Sequence, residues 1–135
     1  MTPSAIALVG FATWTLLLVL TIGLMRTAIV LAGKRPSVSF DPGGADVSPF
    51  SQRLCRAHAN CYENLPIFAA LVAVALATGR SGLVDGLAMT VFYARIGQSV
   101  VHMISTSPWM IRVRFGFYLV QWGLMALMAW RLVTA

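Results

Sequence analysis

From Ala5 to Met25 the chain runs without a charged residue, and that one stretch decides the solvent in which the rest must fold. About twenty consecutive apolar residues cross the hydrocarbon core of a bilayer as a helix, and the run exceeds the apolar region of a secretory signal. No basic residue precedes it, so it reads as a retained helix. Composition agrees: 59% of residues are hydrophobic and 10% charged, against about 25% charged in a soluble domain. An integral membrane protein follows. Its 135 residues hold about four spanning helices and leave no room for a large soluble domain.

Four spans can be drawn, at about 3–32, 50–79, 82–105 and 108–133, giving an all-α, integral membrane four-helix bundle in one domain. Gly33, Lys34, Arg35 and Pro36 stop the first. The segment from Lys34 to Pro49 holds Pro36, Pro42, Pro49 and the pair Gly43-Gly44, which reads as turns. Pro66 is placed to kink the second span. The later connectors are so short that successive helices must be antiparallel neighbours. Lys34, Arg35, Arg53, Arg56, Arg112 and Arg114 gather at one end, with only Arg80 and Arg131 at the other. Both termini are therefore expected outside, with the basic end cytoplasmic, in the inner membrane if the source is bacterial. The formal net charge of +6 has no soluble surface on which to meet nucleic acid, a poor partner for this chain.

Against this apolar background one face of the second span is polar. Arg53, Arg56, Asn60, Glu63 and Asn64 fall at i, i+3, i+7, i+10 and i+11. Ionisable groups at membrane depth cost about 2.5 kcal/mol or more each and mark a partner, a wet cavity or a ligand. Arg95, Gln98 and His102 repeat the pattern at i, i+3 and i+7 on the third span. Counted along antiparallel helices, Glu63 and Arg95 reach similar depth and are expected to pair, either inside a site or as a bridge that merely locks two helices. His102 has two readings, a base or a hydrogen-bonding group at a helix end. Cys55 and Cys61 lie too far apart on one helix for a disulfide and read as packing thiols. His58, His102 and the four scattered carboxylates form no metal-binding spacing.

The run R-A-H-A-N-C-Y-E-N-L-P from Arg56 to Pro66 resembles the R-A-x-x-N-x-x-E signature of the MAPEG family, the membrane-associated proteins in eicosanoid and glutathione metabolism. The resemblance extends over nearly the whole chain: four spans, a basic Pro-containing first loop, an Arg in the third span and basic residues opening the fourth. It implies a homotrimer that binds glutathione between subunits on the cytoplasmic side and activates its thiol, as a transferase or peroxidase, against a lipophilic electrophile. By motif position Arg53, Arg56, His58, Asn60 and Glu63 fall at or beside glutathione contacts, and Asn64 stands where an aromatic is frequent. Arg95 matches the family Arg, while Gln98 and His102 take positions where the eicosanoid synthases carry ring or basic side chains. The arginine that opens the fourth span and polarises the thiol has two candidates, Arg112 and Arg114. Tyr118, one turn beyond Arg114, resembles the pairing in the prostaglandin enzyme and favours Arg114. His102 replaces a family tyrosine, and such departures point to a detoxifying or other glutathione-dependent role rather than to eicosanoids.

Two other classes compete. A small four-helix transporter would use Glu63 as its coupling carboxylate, but the arginines around Glu63 suit an anionic ligand better than a cation. A non-catalytic protein that binds glutathione or lipid would carry the same residues.

Overall fold

A computed structural model describes residues 1–135. It contains α1 (Pro3–Leu31), α2 (Pro49–Ala77), α3 (Asp85–Ile104) and α4 (Pro108–Thr134), with a short 3-10 turn at Ser81–Leu83 leading into α3. Three helices open on the same device. Thr2, Ser48 and Ser107 each accept a backbone N–H with the side-chain hydroxyl, and a proline fills the first helical turn behind each. α1 and α2 also close alike. Gly33 and Gly79 take positive φ, and the next residue's N–H reaches back to Ile29 and Ala75 respectively. α3 starts later than the expected residue 82 because Ser81–Leu83 winds as the tighter turn, and no side chain caps it.

α2 continues through Pro66 without interruption. Proline has no N–H, so the Tyr62 carbonyl one turn earlier loses its usual helical donor.

Three helices, α1, α2 and α4, are long and apolar enough to cross a membrane unaided. α3 is the fourth helix of the expected bundle and falls short of that apolarity on its own. The reason is polar content: Arg95, Gln98, Ser99 and His102 all lie on it, and all four are buried against neighbouring helices. α2 and α3 each pack on all the other helices. The core runs between them through Ala7, Phe11, Phe68, Val72, Ala88 and Val91, with the Phe11 and Phe68 rings 5.3 Å apart. The architecture is a four-helix bundle.

The two ends of the bundle are built differently. At the end holding the termini, Ser4 N–H donates to Asp85 Oδ1 at 3.0 Å, Arg80 to the Leu132 carbonyl at 3.2 Å and Arg131 to the Leu83 carbonyl at 3.0 Å. At the other end Arg53 Nε donates to the Met103 carbonyl at 2.9 Å, capping α3.

That second end is covered by the strap joining α1 to α2. Arg35 pairs with Asp46 at 2.7 Å and donates to the Ser39 carbonyl, and its guanidinium lies 4.7 Å from the Phe40 ring centre. The Asp41 backbone N–H and the Arg35 guanidinium together hold the Asp46 carboxyl below the ordinary value of 3.8. A depressed carboxyl takes up its proton less readily folded than unfolded, so its contribution is complete above that ordinary value and fades as pH falls through the folded one. Protection of the Asp41 amide from hydrogen exchange, corrected for intrinsic rate, is expected to drop on acidification in the wild type. In Asp46→Asn the drop should be absent, and an identical acid profile in both would remove Asp46 as the cause.

Gly44 seats the strap on α2. It is buried with φ +74, and an added Cβ would stand 2.9 Å from the Ser51 carbonyl oxygen and 2.8 Å from Cys55 Sγ. Strain and collision act together, so Gly44→Ala should lower stability by about 1–3 kcal/mol. Thermal unfolding in detergent checks this, and an unshifted midpoint would show that the strap is not seated there.

Candidate functional site

The alternation of helix directions brings the start of α2, the end of α3 and the start of α4 to the strap end, and a polar cavity of about 250 Å³ opens where they meet. Asn60, Gln98, His102, Arg114 and Tyr118 line it, with Ile111 and Phe115 as apolar walls. Each comes from a periodic stripe: Gln98 and His102 on α3, and Ile111, Arg114, Phe115 and Tyr118 on α4.

Hydrogen bonds fix the donors around this cavity. Asn60 Nδ2 donates to His102 Nδ1 at 3.4 Å. An amide nitrogen has no lone pair to offer, so His102 accepts there and carries its proton on Nε2. That Nε2 is buried and has no protein partner. Gln98 Oε1 accepts from Arg95 Nη1 at 2.8 Å and from Gln121 Nε2 at 3.0 Å, while Gln98 Nε2 donates to the Arg114 backbone carbonyl at 3.2 Å. The last bond ties the α4 turn bearing Arg114 to α3, so the guanidinium projects from a fixed point beside His102.

Arg95 is the largest fully buried side chain, 1% exposed. Its charge meets Gln98, lies 5.5 Å over the Phe11 ring and has no carboxylate partner. Nε and Nη2 make no hydrogen bond within the protomer. The expected Glu63–Arg95 pair is therefore not formed here; the one ion pair in the chain is Arg35–Asp46. Matching depth along two axes says nothing about azimuth, and Glu63 lies on an exposed face of α2.

The other expected residues separate by direction. Arg56 is exposed like Glu63, one turn before Asn60 along α2. Asn64 turns back to its own helix and donates to the Asn60 carbonyl at 2.8 Å. Arg53 is engaged with Met103. His58 is not among the residues lining the Arg114 cavity: its ring meets Tyr62 at a tilt of 55°, ring centres 5.2 Å apart, and it lines a cavity of about 290 Å³ with Arg26, Pro42 and Cys55. Arg112 is exposed and takes no part in the polar cavity, as two residues turn a helix by about 200°. The geometry thus separates two arginines that spacing left open.

Two members of the network were not singled out in the sequence, Gln121 and Ser99. Gln121 continues the stripe of Arg114 and Tyr118 at i+7 and i+3, which was the available signal. Ser99 Oγ donates to the Arg95 carbonyl at 2.9 Å, so the Cys61 thiol, 3.5 Å away, is the donor to Ser99. Both cysteines are free and buried, and no cluster of His, Cys, Asp or Glu could hold a metal.

The largest cavity, about 560 Å³, lies elsewhere on the α3–α4 seam and is lined by Tyr93, Ala94, Val113 and Phe117 among others. It offers size without charge. The smaller cavity holds Arg114, His102 and the Asn60 and Gln98 amides.

The sequence model of the MAPEG family matches residues 4–134. No curated protein and no solved structure matches the chain.

Proposed function

Because this chain belongs to the MAPEG family, we propose that it is a membrane-bound, glutathione-dependent transferase or peroxidase acting on lipophilic substrates. The observation that carries this reading is the meeting of Arg114, His102 and Asn60 at one polar cavity at the strap end. Family membership supports a glutathione-related or lipid-metabolic role in general, and this cavity gives that role a thiol-activating group.

At about 250 Å³ the cavity falls below the range of about 300–1,000 Å³ usual for small-molecule sites. A tripeptide needs a second wall, and a neighbouring subunit of a homotrimer supplies it. The exposed Arg56 and Glu63 then face the seam between subunits, where Arg56 holds a glycyl or glutamyl carboxylate and Glu63 the ammonium group. His58, on the far side of α2, would belong to the wall presented to the next copy. When bound, glutathione supplies a thiol whose thiolate attacks an electrophile or reduces a peroxide. Arg114 places a permanent positive charge beside that sulfur and favours its ionised form. His102 lines the same cavity and helps to steady the thiolate that Arg114 favours. Asn60 fixes the tautomer that makes this possible. With the basic end cytoplasmic, as its arginines require, both termini lie outside.

Calorimetric titration of the detergent-purified protein with glutathione and S-methylglutathione tests this. Both should bind, since the grip is on the peptide, and Arg56→Ala should weaken both by about 1.5–3 kcal/mol. Undetectable binding of either ligand to folded wild-type protein would end the glutathione reading.

A further inference from the structure

Pro66 sits near the middle of α2, a helix long and apolar enough to span a membrane. Its missing N–H leaves the Tyr62 carbonyl oxygen, one turn back, without its helical donor. An unbonded carbonyl is costly away from water, and spanning helices that keep a proline have the freed group taken up by something else. The protomer offers little to take it up. No turn or loop N–H donates to it, and the Asn64 side-chain amide, two residues on, donates to the Asn60 carbonyl instead at 2.8 Å.

The freed group lies on an outward face. Tyr62 is 51% exposed, and Glu63 and Pro66 are exposed beside it. A helical carbonyl leans toward the C-terminal end, so this oxygen points at the turn that carries Pro66. Glu63 precedes Pro66 by three residues, which makes the two neighbours on the helix surface. The Glu63 carboxylate has no ion-pair partner. A neutral acceptor and an anionic acceptor therefore stand side by side without a donor.

Such a pair calls for a cation that carries several N–H groups. A primary ammonium has three, enough to reach the Glu63 carboxylate and the Tyr62 carbonyl together. A metal ion is the poorer occupant, because no group of His, Cys, Asp or Glu collects here.

We propose that the Tyr62 carbonyl freed by Pro66 is a second acceptor for the ammonium group of the ligand, and that Pro66 thereby makes the site select a thiol peptide with a free amine. The inference rests on the glutathione reading above and adds a specificity that Glu63 alone does not give. A lone carboxylate attracts any cation, whereas carboxylate and carbonyl together require N–H donors in two directions.

Calorimetric titration of the detergent-purified protein with glutathione and with deaminoglutathione, which keeps the thiol and both carboxylates but lacks the ammonium, tests this in wild type and Pro66→Ala. Alanine restores the N–H that occupies the carbonyl. The wild type should prefer glutathione, and Pro66→Ala should cut that preference about tenfold, the worth of one hydrogen bond to a charged group, with the affinity for deaminoglutathione unchanged. A second measurement reports even if Pro66→Ala fails to fold. Glu63 is the only glutamate, so carbonyl-labelled tyrosine combined with nitrogen-labelled glutamate marks the Tyr62–Glu63 peptide alone in a magnetic resonance spectrum. In the wild type its carbonyl signal should move on adding glutathione and stay in place on adding deaminoglutathione. A preference that survives Pro66→Ala, equal weakening of both ligands, or a carbonyl signal that glutathione leaves in place overturns the proposal while glutathione binding stands. Binding of neither peptide to folded wild-type protein ends the glutathione reading itself, and this proposal with it.

Discussion

Arg114→Ala is expected to lower turnover on a generic aryl halide at neutral pH by about 10²–10³-fold, the range for removing one donor aimed at a developing anion. The effect should appear in the ionisation of the bound thiol more than in affinity. A free thiol titrates near 8.5, and an adjacent guanidinium lowers this by about one unit or more. Thiolate absorbance of the glutathione complex, followed against pH, should therefore shift upward in Arg114→Ala and stay in place in Arg112→Ala. Arg112 is the natural control, since it sits two residues away on a face outside the polar cavity. A shift confined to Arg112→Ala would mean that α4 is rotated in the assembled protein. No shift in either, with glutathione still bound, would leave a binding protein without a thiol activator.

The second large effect is expected at the buried amides. Gln98→Leu removes the acceptor for Arg95 Nη1 and Gln121 Nε2 and the donor to the Arg114 carbonyl. A guanidinium 1% exposed would then face apolar surroundings, at a cost of about 3 kcal/mol or more. Arg95→Met on the Gln98→Leu background should restore most of the loss, because the stranded charge goes with it. Coupling in this double-mutant cycle belongs to Arg95 and Gln98, whereas Glu63→Gln and Arg95→Met should add. Additivity of Gln98→Leu with Arg95→Met, measured by thermal unfolding in detergent, would show that the network holds nothing together.

Why the sequence revealed some of this and not the rest can be seen residue by residue. Helix positions were legible because hydropathy and the Ser/Thr-Pro starts are local. The stripe of Gln98 and His102 was legible because polar residues at i and i+4 stand out on an otherwise apolar helix. α4 gave no such handle: Phe, Trp, Leu and Met surround it on every side, so only the resemblance of the Arg114–Tyr118 pair favoured Arg114 over Arg112 until packing fixed the rotation. Glu63 and Arg95 were matched by counting along two helices, which measures depth and leaves direction open. Gln121, uncharged in an apolar run, carried only the faint signal of its spacing from Arg114 and Tyr118 until the Gln98 amide was seen opposite it.

The polar content of α3 also bears on how the chain enters a bilayer. A lone arginine at the centre of a translocating helix costs about 2.5 kcal/mol or more, and α3 carries Arg95 together with Gln98, Ser99 and His102. Only Ser105, Thr106 and Ser107 separate it from α4, and Gln98, which accepts from Arg95, is itself held by Gln121 and the Arg114 carbonyl on that next helix. The polar stripe of α3 is thus fully bonded only with α4 beside it, which favours entry of the two helices as a hairpin.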